Sequence, residues 1–183
     1  MIDNICINEI GLKDCRLELL IYFDRYQEAH RNWRKQGEQW VLCDDSYTEN
    51  WDDEKKKEVV KNLVSCINSN GCVLGVYLQD KLIGFASFHG NHFGSNHQYV
   101  ELNYMHISNG FRGQGLGKRL FSEICEKARR QGIKKLYISA NPAEDSIAFY
   151  RKVGCTDAGE IIQAIQSHAP FDCQLEYDLS HIK

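Results

Sequence analysis

The sequence predicts an α/β (α+β) fold, in which about four helices flank a mixed central β-sheet of about six or seven strands. Short segments that alternate apolar and polar residues recur along the chain, and longer segments with a helical spacing of apolar residues separate them. A strand–helix–strand unit stands near the middle of the chain. Such a unit predicts a right-handed crossover within one sheet.

The amino-terminal half is predicted to contain one strand, two helices and a hairpin. Residues 5–10 alternate apolar and polar side chains, as a half-buried strand does. Apolar residues spaced by three or four predict a helix over 13–35, and 38–51 is interpreted as a short strand and a loop. A second helix is predicted over 52–68, because acidic residues in its first turn suit the helix dipole. Residues 73–88 then predict a β-hairpin.

The carboxy-terminal half is predicted to alternate strands and helices. Its strongest element is an amphipathic helix over 116–131, which Gly132 is well suited to end. The other predicted elements are strands at 99–108 and 134–141, a short helix at 144–154, and two last strands at about 155–165 and 173–179. Neither a repeat nor a linker-like stretch interrupts the chain, so residues 1–183 are predicted to form a single domain.

The composition excludes several classes of protein. Hydrophobic residues make up 43% of the chain and charged residues 26%, as in ordinary globular proteins. The net charge of −3 argues against nucleic-acid binding, which usually needs a basic surface. No segment approaches the about 18 apolar residues of a membrane span, and the start MIDNICINEI lacks the features of a signal peptide. We therefore expect a cytoplasmic protein with no nucleic-acid or membrane partner.

No metal site is predicted. None of the eight cysteines belongs to a C-x-x-C pair, and most lie among apolar residues, so we expect reduced cysteines in the core. His89, His92 and His97 share one loop, but no cysteine or acidic residue accompanies them at ligand spacing. A mobile loop near a cleft is the favoured interpretation of these histidines.

The stretch FRGQGLGKRLF, residues 111–121, joins a predicted strand to a predicted helix. It contains three glycines, Gly113, Gly115 and Gly117. Glycine disfavours helices, so this pattern indicates either a turn or a close approach of unpaired backbone amides to a large anion. A Walker A loop would need glycine at 112 and serine or threonine at 119, where arginines stand. A dinucleotide-binding loop would need glycine at 118, which is lysine.

Residues 112–117 instead fit the pattern [QR]-x-x-G-x-[GA]. With the preceding strand end MHIS and the downstream NPAEDSIAFYRKVGC, this pattern resembles the GNAT superfamily of acyl-coenzyme A-dependent N-acetyltransferases. The resemblance covers 73–155 and extends to the end of the chain, whereas before residue 70 only the order of elements supports it. It implies the GNAT fold and direct transfer of acetyl from acetyl-CoA to a primary amine, without a metal.

The resemblance also implies an acetyl-CoA site. The backbone amides of 112–118 are expected to bind the pyrophosphate, with added charge from Arg112 and Lys118, although Lys118 is equally well a solvated helix residue. The strand end at 105–107 is expected to pair with pantetheine, and the amide of Ile107 to polarise the thioester carbonyl. Asn141 contacts the pantetheine arm or simply ends a strand before Pro142. The implied cofactor-binding residues are Met105, His106, Ile107, Arg112, Gly113, Gln114, Gly115, Leu116, Gly117, Lys118, Asn141 and Tyr150.

Two residues are implied as catalytic. Tyr150 matches the tyrosine that gives a proton to the leaving thiolate, whereas outside this motif such a tyrosine would usually be a core residue. Glu101 stands where histone-acetylating members carry their basic glutamate, and its alternative is an exposed or salt-bridged strand residue. His106 is a rival base because of its ordinary pKa, and water is a third.

The acceptor is predicted only as a small-molecule or peptide amine, and a homodimer is possible. Four aromatic residues lie where the family builds its acceptor pocket, or they pack the predicted amino-terminal helices: Trp33, Trp40, Tyr47 and Trp51. The alternative function is a non-catalytic CoA-binding or sensor module on the same fold. Both Tyr150 and Asn141 count against that alternative, and a nucleotide-binding module is a more distant one.

Overall fold

The computed structural model describes residues 4–37 and 39–181. Its strands are β1 (Ile5–Glu9), β2 (Gln27–Gln36), β3 (Gln39–Glu49), β4 (Cys72–Leu78), β5 (Lys81–Phe88), β6 (Tyr99–Ile107), β7 (Lys135–Ala140), β8 (Thr156–Asp157) and β9 (Cys173–Asp178). Its α-helices are α1 (Asp53–Asn68), α2 (Leu116–Arg130), α3 (Glu144–Lys152) and α4 (Gln163–His168). Short 3₁₀ helices occupy Leu12–Asp14, Leu17–Leu20, Asn109–Phe111 and Leu179–His181.

A seven-stranded sheet in the order β1-β4-β5-β6-β7-β9-β8 forms the centre, and β2 and β3 form a separate two-stranded sheet. The main sheet is antiparallel except between β6 and β7, which are parallel and joined by α2. This mixed sheet with its four α-helices confirms the predicted fold class. Within the described ranges, no helix combines the length and apolar character that crossing a bilayer requires.

Two cores lie on opposite faces of this sheet. Leu120 and Ile124 of α2 are fully buried against β4, β5 and β7, and α3 packs onto the same face through Ile147. On the other face, Val59 and Leu63 of α1 pack against β4 and β5. We call these faces the α2 side and the α1 side. Burial of apolar surface on both sides holds the central strands in place.

The helices predicted at 52–68, 116–131 and 144–154 are confirmed as α1, α2 and α3, and the hairpin at 73–88 is confirmed as β4 and β5. The strands predicted at 5–10, 99–108, 134–141 and 173–179 are confirmed as β1, β6, β7 and β9.

The predicted helix over 13–35 is wrong. Its first part forms two 3₁₀ turns, and its last part is β2, paired with β3. A β-bulge between Ala29 and Arg31 shifts the alternation of β2, so that the buried residues Ala29 and Asn32 stand three apart, as they would on a helix. Gly37, with φ of +61°, forms the hairpin turn rather than a helix end. Residues 39–49, expected as a short strand and a loop, are a full strand.

The strand predicted over 155–165 is also largely wrong. Only Thr156 and Asp157 pair with β9, and the chain then turns into α4. Side chains of the main sheet hold this turn, because the Gly159 amide donates to Glu176 and the Ile162 amide donates to the Tyr137 hydroxyl. These tertiary contacts replace a strand ladder that local residue preferences favoured.

Candidate active site

The centre of the sheet opens between β6 and β7. The two strands pair only at Tyr99, Val100 and Glu101 of β6. Beyond Glu101, β6 stays with β5 as far as Ile107, whereas β7 stays with β9 as far as Ala140. The facing edges of the two strands therefore separate, and we call this opening the wedge. Strand edges without a ladder partner can hydrogen-bond an extended ligand.

A β-bulge controls which side chains of β6 face each side of the wedge. Phe88 pairs with Leu102 and Ser87 pairs with Tyr104, so Asn103 is the extra residue. The bulge reverses the alternation, as bulges do beside many active sites. Before it, Leu102 faces the α2 side and Glu101 therefore the α1 side; after it, Tyr104 joins the α1 side.

The glycine-rich loop ends at the amino terminus of α2. Arg119 makes the first helical hydrogen bond, to Gly115, and the amides of residues 113–118 donate to no acceptor in the described chain. The amide of Arg112 donates to the Asn109 carbonyl at 3.3 Å, so it does not belong to this unpaired set. Unpaired amides at a helix amino terminus form an anion site, which fits a pyrophosphate.

Gly115 and Gly117 are required for different reasons. Gly115 has a φ of +81°, a backbone conformation that residues with a β-carbon rarely adopt, although the space around it is open. A β-carbon on Gly117 would instead stand 3.2 Å from the Phe149 ring. Gly115 therefore shapes the loop, whereas Gly117 lets α2 approach α3 closely.

The predicted cationic side chains of the loop lie in different places. Arg112 donates through Nε to the Ile107 carbonyl at 2.9 Å and through Nη2 to the Arg25 carbonyl at 3.3 Å. It therefore ties the loop to the end of β6. Lys118 is exposed, and the first turn of α2 contains no acidic residue. A cation at a helix amino terminus is unfavourable unless an anion lies nearby.

Tyr150 lies half-buried on the α2 side, beside the rings of Phe121 at 6.5 Å and Phe149 at 5.3 Å. Burial raises its pKa, and nearby Cys155 and Asp172 act in the same direction. The phenol is therefore protonated at neutral pH and is able to donate its proton only to a strong base, such as a thiolate that forms beside it.

Burial shifts the pKa values of the two candidate bases, Glu101 and His106, in opposite directions. Burial raises the pKa of Glu101, so this carboxylate is a better proton acceptor than an exposed one. Burial, followed by the charges of Arg25 and Arg112, holds the pKa of His106 well below its ordinary value. The His106 ring packs edge-on against Trp51 at 5.1 Å. Burial therefore makes Glu101 a better proton acceptor than an exposed carboxylate, and makes His106 a poorer one than an exposed imidazole.

Asn141 shows both features that the sequence left open. Its Oδ1 accepts from the Ala143 amide at 3.0 Å, as in a simple strand-end turn, and also from the Tyr47 hydroxyl at 2.6 Å. These bonds identify the oxygen, so the two N–H groups of Nδ2 point elsewhere and meet no acceptor in the described chain. They are available to a carbonyl group in the wedge.

The hairpin of β2 and β3 closes one end of the wedge. The Trp33 amide donates to the Pro142 carbonyl at 2.8 Å, and Tyr47 reaches Asn141. Trp33 and Trp40 themselves line a separate cavity of about 280 Å³ against α3. Trp51 packs in the core of the α1 side. The four aromatic residues thus have three different positions.

Several polar residues near the wedge were not predicted. Arg25 is only 5% exposed, pairs with Glu49 at 2.5 Å and lies over the Trp51 ring at 5.7 Å. Ser139 donates to Asp172 at 2.9 Å. These residues come from distant segments with no shared motif, so no local signal in the sequence marks them.

The three loop histidines do not converge. His89 lies beside Ser69 at 3.3 Å and Cys66 at 3.7 Å, whereas His92 contacts the carbonyl of His97. Burial lowers the pKa of His89. Among residues 4–37 and 39–181, no group of three or more His, Cys, Asp or Glu is arranged to hold a metal ion.

Comparison with known proteins adds independent information. The model of the acetyltransferase (GNAT) family matches residues 25–155. A nourseothricin acetyltransferase structure is 17% identical with a TM-score of 0.69, over 96% of this chain and 98% of that chain. A Bacillus anthracis protein described as a streptothricin acetyltransferase, in complex with acetyl coenzyme A, is 16% identical with a TM-score of 0.67, over 94% and 95%.

A third similar structure is the PaiA N-acetyltransferase of Thermoplasma acidophilum in complex with coenzyme A, 18% identical with a TM-score of 0.59, over 96% of this chain and 99% of that chain. A search of curated protein sequences gave no match. At these identities the structural likeness concerns the fold, and the family model supplies the assignment. On this match, the chain belongs to the acetyltransferase (GNAT) family.

Proposed function

We propose that the protein is an N-acetyltransferase that moves acetyl from acetyl-CoA directly to a primary amine. The observation that carries this proposal is the wedge between β6 and β7, which leads to the unpaired amides of 113–118. An extended arm in the wedge and a pyrophosphate at the loop together match the shape and charge of acetyl-CoA. Two structures of similar fold contain acetyl coenzyme A or coenzyme A.

The chain offers a complementary group for each part of this co-substrate. The amides of 113–118 bind the pyrophosphate, and Lys118 adds positive charge at the same helix end. The main chain of 105–107 binds the pantetheine arm, and the Asn141 amide donates to one of its carbonyls from across the wedge. The amide of Ile107 is the donor we assign to the thioester oxygen.

Acetyl-CoA supplies the acetyl group as a reactive thioester. The acceptor nitrogen, once neutral, forms a C–N bond with the acetyl carbon, and the C–S bond breaks. Tyr150 gives its proton to the departing sulfur, which leaves as the thiol. The first proton that the acceptor ammonium loses goes to Glu101 or to water and is then released to solvent. The nitrogen loses a second proton to solvent as the amide forms, and Tyr150 regains one proton from solvent, so the net release is one proton.

The first test is calorimetric titration of the protein with acetyl-CoA, with ATP and NAD as controls, followed by assays of thiol release with a panel of primary amines. We expect acetyl-CoA alone to bind, and at least one amine to release free thiol. Binding without thiol release for any amine would identify a CoA sensor instead. No binding of acetyl-CoA would contradict the proposal altogether. A cytoplasmic location and a homodimer stay predictions.

A further inference from the structure

A second polar cluster lies on the α1 side of the wedge, where β7 ends and β9 begins. Ile138 and Ala140 of β7 belong to the core of the α2 side, so Ser139 faces the other way. Ser139 pairs with Gln174 across the strands and donates its hydroxyl to Asp172 at 2.9 Å. We call Ser139, Asp172 and Gln174 the Asp172 cluster.

The Asp172 cluster contains a buried oxygen without a donor. Because the Ser139 hydroxyl is donated to Asp172, its oxygen accepts from Nε2 of Gln174 at 3.3 Å. This bond identifies the amide nitrogen, and Oε1 of Gln174 has no partner although the residue is only 6% exposed. Buried polar atoms are rarely left unpaired, so this oxygen indicates a donor that is supplied from outside the chain.

The charge of the cluster is also uncompensated. Asp172 forms no ion pair with any described side chain, whereas the nearby carboxylate of Glu49 is paired with Arg25 at 2.5 Å. Burial and then Glu49 raise the pKa of Asp172, while the hydroxyl of Ser139 opposes them. A partly buried carboxylate of this kind is stabilised by a cation.

The cluster adjoins the proposed reaction centre. Asp172 is close enough to raise the pKa of Tyr150 and of Tyr47, which bonds to Asn141. The α1 side of the wedge therefore has a carboxylate without a cationic partner and an amide oxygen without a donor, next to residues assigned to acetyl transfer.

We infer that the Asp172 cluster binds an ammonium group of the acceptor that stays protonated during the reaction, and that the acceptor is therefore a diamine or larger polyamine. This inference rests on the proposed acetyltransferase function. The bound ammonium is distinct from the amine that reacts, because a carboxylate stabilises the protonated form, whereas the attacking nitrogen must be neutral. One amino group is thus held at Asp172 while the other reaches the thioester.

The binding test compares 1,4-diaminobutane with 1,4-butanediol, which has the same length and no ammonium group. Calorimetric titrations are made with and without saturating CoA, which cannot react, and thiol release with acetyl-CoA is measured separately for the diamine and for n-butylamine, whose single nitrogen is unable both to stay at Asp172 and to react. We expect the wild-type protein to bind the diamine at least about tenfold more tightly than the diol, as a charge-assisted hydrogen bond predicts. Asp172→Asn should abolish this preference and leave acetyl-CoA affinity unchanged.

The matched control is Asp80→Asn, which removes the same charge at the exposed turn between β4 and β5 and should keep the preference. If Asp172→Asn does not fold, as judged by thermal unfolding, Asp172→Ser replaces it. Equal binding of the diamine and the diol by the wild-type protein overturns the inference without any variant. A preference that survives the loss of Asp172 also overturns it. Diamine binding without thiol release supports the inference and rejects the proposed function.

Discussion

The two sides of the wedge are built from opposite kinds of groups. The side that we assign to acetyl-CoA presents hydrogen-bond donors of the main chain, the amides of 113–118 at the start of α2. The side that we assign to the acceptor presents side-chain oxygens, those of Glu101, Asp172 and Gln174. The first arrangement suits an anion and the second a cation, which fits the substrates that we assign to the two sides.

The two sides also differ in the kind of substitution that removes their hydrogen-bonding groups. Backbone donors depend on chain conformation, so only a change of φ or of close packing removes them. Side-chain oxygens are removed one at a time by single substitutions. Single substitutions should therefore affect the backbone-donor side and the side-chain-oxygen side differently.

Replacement of Tyr150 with phenylalanine tests whether the Tyr150 hydroxyl protonates the leaving thiolate. We expect kcat for thiol release to fall by about 100-fold or more, because the leaving thiolate loses its proton donor, with acetyl-CoA affinity nearly unchanged. Tyr177→Phe is the matched control, since Tyr177 also packs on Phe121, at 5.1 Å. Steady-state kinetics and calorimetry check both variants. An unchanged kcat for Tyr150→Phe would assign the acid role to another group.

Gly115→Val should disrupt the donor side while leaving the oxygen-rich side intact. The valine side chain opposes the φ of +81° and obstructs the approach of a pyrophosphate, so we expect acetyl-CoA affinity to fall by roughly 50-fold. Gly132→Val is the control, because Gly132 has a φ of +78° and equally open surroundings at the other end of α2. It should lose similar stability but bind acetyl-CoA normally. Equal affinity losses in the two variants would remove the loop assignment.

Glu101→Gln tests two properties of Glu101 on the oxygen-rich side: the stability cost of its buried charge and its role as a base. Because burial raises the pKa of Glu101, ionisation of this carboxylate lowers the free energy of unfolding. This loss begins as pH rises above the ordinary pKa of glutamate and is complete above the raised pKa. We expect the variant to have a higher Tm than the wild type near pH 7, with the difference shrinking toward pH 4. If Glu101 is the base, kcat near pH 7 should fall by about tenfold, and the acid limb of the pH–rate profile should disappear.

Thermal unfolding and pH–rate profiles of the same protein preparations separate these two effects. Glu28→Gln, on exposed β2, provides the comparison for simple loss of a carboxylate. A pH-independent Tm difference between Glu101→Gln and the wild type would contradict the burial argument. An unchanged pH–rate profile would leave water as the proton acceptor.

Gly117→Ala should have the smallest effect. The new methyl group meets the edge of the Phe149 ring at 3.2 Å, and a small ring shift relieves the contact. Alanine also favours the helix by about 1 kcal/mol over glycine, so the free energy of unfolding should change by less than that. We expect acetyl-CoA affinity to change by less than about threefold. A loss as large as that of Gly115→Val would show that both glycines contact the phosphates.

The sequence predicted the parts of the site that one short segment encodes. The loop at 112–118 and the pair Asn141 and Tyr150 each lie in a contiguous motif. The structure places the loop after the end of β6, Asn141 after the end of β7, and Tyr150 on α3 at the α2 side. The sequence did not predict Arg25, Glu49 or Asp172, since their side chains come together only after distant strands pair. The β2 strand was mistaken for a helix because Tyr26, Ala29 and Trp33 stand three and four residues apart, a spacing that pairing with β3 overrides.

The central αβ unit, the glycine-rich loop and the family follow from the sequence alone. Glycine spacing and apolar periodicity act through the backbone of their own segment, so both can be read locally. The opening between β6 and β7, the orientation of Glu101 and the composition of the side that we assign to the acceptor depend on the tertiary structure. Pairing, bulges and burial are set by partners far away in the chain, so no local signal in the sequence encodes them.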